Sequence, residues 1–302
     1  MKAIILFLSL LINSFGESFI QPLEPIHTIN KEKAMLGKIL FFDTSLSNDA
    51  TISCASCHKA EYGWADNQVV STGVYGRKGI INSPTVLNAV YNFKQFWNGR
   101  VDNLEEQAKG PIHTSFEMDM DEKKLENRLN KNSMYKNYFQ KIYNVTSIKF
   151  HHIINAIAEY EKTLTTQDSK FDLYLKGKNQ LNDKEMQGYK LFKMYGCITC
   201  HNGMNIGGNS FQKIGIVIPY KNCYKDRYEI TNKKFDQCVY KVPTLRNIAK
   251  TAPYFHDGSA KTLRDAIKAM AYYNLGFDLQ EQDIIKIEAF LHTLNAPLQE
   301  EY

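Results

Sequence analysis

Apolar positions recur at helical spacing through most of the chain, and alternating strand patterns are few and short. Residues 31–42 place Ala34, Met35, Ile39 and Phe42 near one face before the pattern breaks into an Asp/Ser/Asn-rich stretch. Ser147 stands where it would cap a helix reaching about Leu164, with Ile153, Ile154, Ile157, Tyr160 and Leu164 on one stripe. Asn182 with Glu185 forms a capping signal ahead of Tyr189 to Phe192. Thr262 with Asp265 and Asp278 with Glu281 repeat that signal for two last helices, the final one carrying Ile284, Ile287, Phe290, Leu291 and Leu294. The pattern predicts a mainly α fold with long loops.

The N-terminus adds a location. Lys2 precedes an apolar run over residues 3–12, and Ser14, Phe15 and Gly16 follow, so residues 1–16 read as a secretory signal peptide too short for a permanent span. No later stretch approaches the roughly twenty apolar residues of a membrane helix, and no Cys follows the run for lipidation. The expected product is periplasmic, with no stable membrane insertion. Of 302 residues, 286 then remain, room for two domains at 17–165 and 166–302, with the polar stretch 165–169 as the natural hinge. The formal charge of +5 is spread along the chain, which suits steering of a protein partner and gives no case for nucleic acid. The two halves resemble each other only loosely, in helix, cysteine motif and long loop.

Chemistry enters with two copies of one motif, Cys54-Ala55-Ser56-Cys57-His58 and Cys197-Ile198-Thr199-Cys200-His201. Two thiols one helical turn apart can both add to haem vinyl groups, and the next imidazole then falls under the iron. A zinc site would keep its Cys and His pairs well apart in sequence, and a redox dithiol would need a βαβ setting. Both copies therefore read as covalent c-type haem sites, giving two cytochrome c-like haem domains. Cys223 and Cys238 are left over; in an oxidising compartment they could pair across their loop, but sequence does not supply the distance. His151 and His152 lie on an amphipathic helix, one facing solvent and one packed.

Several further motifs carry a family likeness. Leu36-Gly37-Lys38-Ile39-Leu40-Phe41-Phe42-Asp43, Asn82-Ser83-Pro84-Thr85-Val86-Leu87-Asn88, Phe96-Trp97-Asn98-Gly99-Arg100, Leu104-Glu105-Glu106-Gln107 and Glu117-Met118 resemble the first domain of bacterial dihaem cytochrome c peroxidases. Cys200-His201-Asn202-Gly203, Pro243-Thr244-Leu245-Arg246-Asn247 and Thr251-Ala252-Pro253-Tyr254-Phe255-His256-Asp257-Gly258 resemble the second, in family order over about residues 31–295.

The resemblance implies roles. His58 would be the proximal ligand of a peroxidatic haem and His201 that of an electron-transferring haem. Met270 would close the second iron with a thioether, although a helical Met read alone is a packing residue. Glu117 would move the proton needed to split the O–O bond, and Gln107 would position peroxide; alone, such a Glu reads as a solvated side chain. Trp97 would lie between the haems, where a core Trp is the blander reading. Asn82, Thr251 and Pro253 match a calcium site built from neutral oxygens. Hydrogen peroxide, a reduced cytochrome c or cupredoxin donor, and a homodimer complete the implied set.

One departure stands out. Many family members carry a His in the loop before the Asn-Ser-Pro-Thr motif that caps the resting peroxidatic haem, and here that place holds Val74, which cannot ligate. Tyr75 and His113 are the substitutes within reach in sequence. Two rivals follow: a MauG-type enzyme oxidising residues of a partner protein, against which Met270 argues because that branch places Tyr there although the lost capping His leans towards it, and a dihaem electron carrier without turnover.

Overall fold

The computed structural model describes residues 19–298; the expected signal peptide lies outside them. The fold is mainly helical, and among the described residues the sheet is one antiparallel pair, Phe211–Lys213 with Val239–Lys241, in register Phe211 to Lys241.

Two hydrophobic clusters are each built on a crossed helix pair. In the first half, helix Lys31–Phe41 crosses helix Phe150–Thr163. Gly37 sits at the crossing, where a Cβ would lie 1.9 Å from the Ala156 carbonyl oxygen and 2.8 Å from Tyr160 Cβ. In the second half, helix Asp183–Met194 crosses helix Glu281–His292, and a Cβ at Gly188 would lie 1.9 Å from the Lys286 carbonyl oxygen and 2.9 Å from Phe290 Cβ. Glycine is required at both contacts because the backbones touch.

The likeness of the halves extends well beyond the helices. Asn88 and Asn247, 159 residues apart, both adopt the left-handed conformation before a short 3₁₀ turn. The bridges Gln95 to Val101 and Tyr254 to Ala260 keep the same spacing. The two Asn side chains converge: Asn88 Nδ2 and Asn247 Nδ2 donate to the same Thr166 hydroxyl at 2.8 and 2.6 Å.

That convergence changes the reading of residues 165–169. They are a clamped connection: Thr165, Thr166 and Ser169 are buried, and Ser169 caps helix Lys170–Leu175 in a reciprocal box with Asp172. Asp172 in turn receives a bidentate pair from Arg246 (2.8 and 2.9 Å), both side chains being fully buried. Arg246 also reaches the Gln21 carbonyl, and Ile20 bridges Gly203, so the first described residues pack on the second cluster.

Caps decide the boundaries. Asn182/Glu185 and Thr262/Asp265 form the expected boxes. Ser147 does not cap: the Asn130 amide holds both polar groups of Ile148 (2.9 and 3.0 Å), so the helix starts at Phe150 behind Lys149. The last helix begins at Glu281 behind Gln280, two residues after Asp278, with Glu281 and Asp283 favourably placed in its first turn.

Candidate active site

The first Cys-x-x-Cys-His motif forms one helical turn, Cys54–Cys57, entered through a Ser53/Ser56 capping box. His58 ends the turn, with its N–H on the Cys54 carbonyl at 3.0 Å and its Nδ1 3.2 Å from the Trp64 carbonyl. Burial pushes the Cys57 thiol up to about 11, raises Cys54 further, and lowers His58, which favours the neutral imidazole that binds metal. The second motif opens with Gly196 in the left-handed region, runs as the 3₁₀ turn Cys197–Thr199, and places the His201 N–H on the Cys197 carbonyl at 3.0 Å. Burial lowers His201 to about 4, against the opposing pull of the Ile206 and Pro243 backbone.

The donor sets fit covalent haem. Cys223 and Cys238 form a disulfide with Cα atoms 5.0 Å apart, while Cys54, Cys57, Cys197 and Cys200 are free. Each motif thus offers two unpaired thiols and one neutral imidazole.

A carboxylate lies near the first motif. Helix Leu104–His113, capped by Asn103, carries the half-buried Gln107, and the following turn fixes the Glu117 N–H on the Thr114 carbonyl at 2.9 Å. Burial raises the Glu117 carboxyl to about 7, with Arg100 opposing the rise. Its charge contributes to raising both the Cys54 and Cys57 thiols, and Glu161 adds a larger contribution at Cys54, so both carboxyls lie near the motif. Arg100 itself lies over the Phe96 ring, 3.2 Å from the centroid.

The Val74 loop is moulded onto this turn. A Cβ at Gly73 would meet the Phe116 carbonyl oxygen at 2.1 Å, the Val74 N–H donates to the Glu117 carbonyl at 2.8 Å, and Val74 is fully buried. Neither proposed substitute is placed to ligate. Tyr75 is 57% exposed beneath the Arg77 guanidinium, with its N–H on Asp49. His113 turns to the Met120 carbonyl (3.0 Å) and Glu122 (3.2 Å), against Phe150.

Between the halves, the Trp97 Nε1–H donates to the Asn82 carbonyl at 2.9 Å, and its ring meets Tyr240 and His256 edge-on at 6.5 and 6.3 Å. The Lys241 N–H donates to the Trp97 carbonyl at 2.7 Å, which joins the small sheet to this loop. Met270 is half-buried at the end of helix Leu263–Met270, where the backbone widens into a π turn over Ala271–Leu275. The Asn82 amide donates to the Gln68 and Val69 carbonyls, its N–H meets the His256 carbonyl, and Thr251 packs against Gly63. Among the described residues no group of three or more His, Cys, Asp or Glu is gathered for a metal.

Residues 31–180 match the family model described as di-haem cytochrome c peroxidase. A cytochrome c551 peroxidase of Nitrosomonas europaea is 45% identical over 278 residues, covering 91% of this chain and 83% of that protein. The cytochrome c551 peroxidase of Pseudomonas aeruginosa is 42% identical over 277 residues, covering 88% and 80%. The chain belongs to the dihaem cytochrome c peroxidase family. A solved MauG-like protein associated with microbial copper homeostasis superposes with a TM-score of 0.80 at 27% identity, over 92% of this chain and 94% of that one.

Three features of this family member were not singled out from its sequence. Arg100 sits in the Phe96–Arg100 motif without a role until its charge is seen to oppose the rise at Glu117. Glu161 is 4% exposed, one of its carboxyl oxygens has no partner, and burial raises it to about 8. A charge on the apolar face of helix Phe150–Thr163 was the available signal. Lys241 is 8% exposed, and burial lowers it to about 8.

Proposed function

We propose that this chain is a periplasmic peroxidase that reduces hydrogen peroxide to water with electrons from a reduced c-type cytochrome or cupredoxin. Two covalently bound haems, one held by Cys54, Cys57 and His58 and the other by Cys197, Cys200, His201 and Met270, would supply the redox chemistry. One observation carries the reading. A half-buried carboxyl with a value of about 7 lies close enough to the first motif to act on both of its thiols, while the loop beside it presents Val74, which has no donor atom.

The chain's own residues divide the remaining work. Glu117, half ionised near neutral pH, takes the proton from one peroxide oxygen and returns it to the departing one. Gln107, on the helix leading to that turn, orients peroxide by hydrogen bonding. Trp97, between the halves, lies on the electron path from the Met270 side. Calcium held by Asn82, Thr251 and Pro253 belongs to the same reading; its support is that their segments meet at the junction and offer neutral oxygens.

Met270, where a MauG-type enzyme would carry Tyr, favours peroxide reduction over oxidation of a partner protein. A simple carrier would need a sixth ligand in the first half, and neither Tyr75 nor His113 is placed to provide it. Stopped-flow mixing with peroxide tests the assignment. Fully oxidised and half-reduced protein should react equally fast; reaction only after half-reduction overturns the open first site. No turnover with reduced cytochrome c or cupredoxin overturns the peroxidase reading.

A further inference from the structure

The Trp97 loop continues into a cluster of phenols that peroxide reduction with an external donor does not require. His256, which stands 159 residues after Trp97 in the repeated loop, is 1% exposed and forms the hub. Tyr240 stacks on it at 4.2 Å and 22°, Tyr224 lies 5.3 Å away, Tyr220 5.9 Å and Trp97 6.3 Å. From Tyr220 the series goes on to Tyr273 at 4.9 Å and then Tyr272 at 5.1 Å, the last being 41% exposed. Rings this close allow an electron to pass in short steps from the surface to Trp97.

Within that cluster the hydroxyls differ. The Tyr220 hydroxyl donates to Asp257 Oδ2 at 2.8 Å, with Ser259 Oγ at the same distance. The Tyr240 hydroxyl donates to the Tyr224 backbone carbonyl, which is no proton acceptor. Oxidised phenols are strongly acidic, so a tyrosine gives up an electron readily only where its proton has a base to go to. Among the described residues of the cluster, only Tyr220 has a carboxylate on its hydroxyl. Burial acts to raise Asp257, but hydrogen bonds from Ser259, Tyr220 and Asn222 outweigh it and hold the carboxyl low, in its accepting form.

The segment is also held in place. The Cys223–Cys238 disulfide closes the loop just beyond Tyr220, the His256 Nε2 lies 2.6 Å from the Asn222 carbonyl, and the Val217 and Ile218 N–H groups both bond to the Tyr273 carbonyl at 3.1 Å.

We propose that Tyr220 is a redox-active tyrosine that receives oxidising equivalents from the first site by way of Trp97 and the His256–Tyr240 stack when the external donor is exhausted. The inference rests on the placement of Trp97 in the electron path. Reduction of one peroxide to two waters takes two electrons and two protons. Without donor, one electron would be supplied by the haems and the second comes from Tyr220, and both protons come from solvent at the first site. The Tyr220 O–H bond breaks, the electron moves to the first site, the proton moves to Asp257 Oδ2, and a neutral phenoxyl remains. A later electron from reduced cytochrome, with the proton returned by Asp257, restores the phenol. Oxidising power is thereby moved away from the haem-binding side chains.

The test uses fully assembled, donor-free protein mixed with one equivalent of peroxide, frozen and read by electron paramagnetic resonance. A neutral tyrosyl signal is expected in the parent, absent in Tyr220→Phe and weakened in Asp257→Asn, and it should vanish on adding reduced cytochrome c. After repeated peroxide pulses, peptide mapping should find oxidation at Tyr220 and Tyr272 in the parent, and at residues around the first motif in Tyr220→Phe. Turnover with donor should be the same in parent and Tyr220→Phe. An unchanged radical in Tyr220→Phe overturns the relay. Parent protein that turns over with donor yet shows no tyrosyl signal overturns the relay alone; protein that does neither overturns the peroxidase reading with it.

Discussion

Replacing Glu117 by Gln isolates the proton chemistry from the fold. The backbone of residue 117 is fixed by the Thr114 carbonyl on one side and the Val74 N–H on the other, and neither bond involves the side chain. The amide is nearly isosteric, so the Gly73–Val74 loop keeps its seat. With the carboxyl at about 7, its ionised fraction is about one tenth at pH 6, one half at pH 7 and nine tenths at pH 8. Accepting the peroxide proton needs the ionised form, so the rate constant for peroxide should rise roughly tenfold between pH 6 and pH 8 and level off above. Positioned proton transfer contributes about 10²- to 10⁴-fold, so Glu117→Gln should react at least ~10² slower, a loss of about 3 kcal/mol in the barrier, with no step near pH 7. Arg100→Gln serves as a control: removing the charge that opposes the rise should move the midpoint to higher pH. Stopped-flow traces over this pH range decide the matter. A Glu117→Gln protein within about threefold of the parent, or with its midpoint unmoved, would refute proton handling at this residue.

Three further substitutions test the frame. Gly188→Ala puts a methyl 1.9 Å from the Lys286 carbonyl oxygen and should cost about 2 kcal/mol or more, the small helical gain of Ala being outweighed by separation of the crossed helices; a urea midpoint unchanged from the parent would count against the contact. Glu161 holds its proton to about pH 8 when folded and to about pH 4.5 when unfolded, so its contribution to stability is greatest below pH 4.5 and falls by about 1.4 kcal/mol per unit until pH 8, roughly 5 kcal/mol as an upper bound. Glu161→Gln should flatten that decline, measured by denaturant unfolding at pH 5 and pH 8. Joint replacement of Cys223 and Cys238 by Ser opens a loop of 15 residues and should lower stability by about 3 kcal/mol, read as a lower thermal midpoint; an unchanged midpoint would mean the loop is held by its hydrogen bonds alone.

What could be read from the sequence was local. The two Cys-x-x-Cys-His turns, the Asn182 and Thr262 caps and the apolar stripes of helices Phe150–Thr163 and Glu281–His292 depend on residues within one or two helical turns, and the fold reproduces them. The face expected at 31–42 is not the one that packs: Met35 and Phe42 are 63% and 51% exposed, while Leu36, Leu40 and Phe41 are buried against the crossing helix. What could not be read depends on distant partners. Ser147 loses the cap because Asn130, 18 residues before Ile148, takes the backbone first. Residues 165–169 look like a hinge because Thr and Ser suit exposed loops, yet side chains 78 and 81 residues away bury them. His113 is drawn off by Glu122, which the Glu117 spacing gave no reason to weigh. The duplication was obscured because the helix crossings, the haem motifs and the Asn turns repeat at different offsets, leaving no single period.

That duplication also explains how one frame supports two unlike sites. Helices Leu104–His113 and Leu263–Met270 are capped by Asn103 and Thr262, again 159 residues apart, so Met270 and Pro111 occupy the same step of equivalent helices. One half presents a thioether, a soft donor able to close an iron; the other presents Pro111, which has no donor atom, with Glu117 six residues further on in a turn that the second half replaces by the π turn Ala271–Leu275. The loop ahead of each helix diverges in the same sense, carrying Trp97 in the first half and His256 in the second, and these two rings meet at the junction. On the proposed reading, differences at these three matched places separate a site that handles protons from one that passes electrons, on a frame whose crossed helices meet at a glycine in both halves, Gly37 and Gly188.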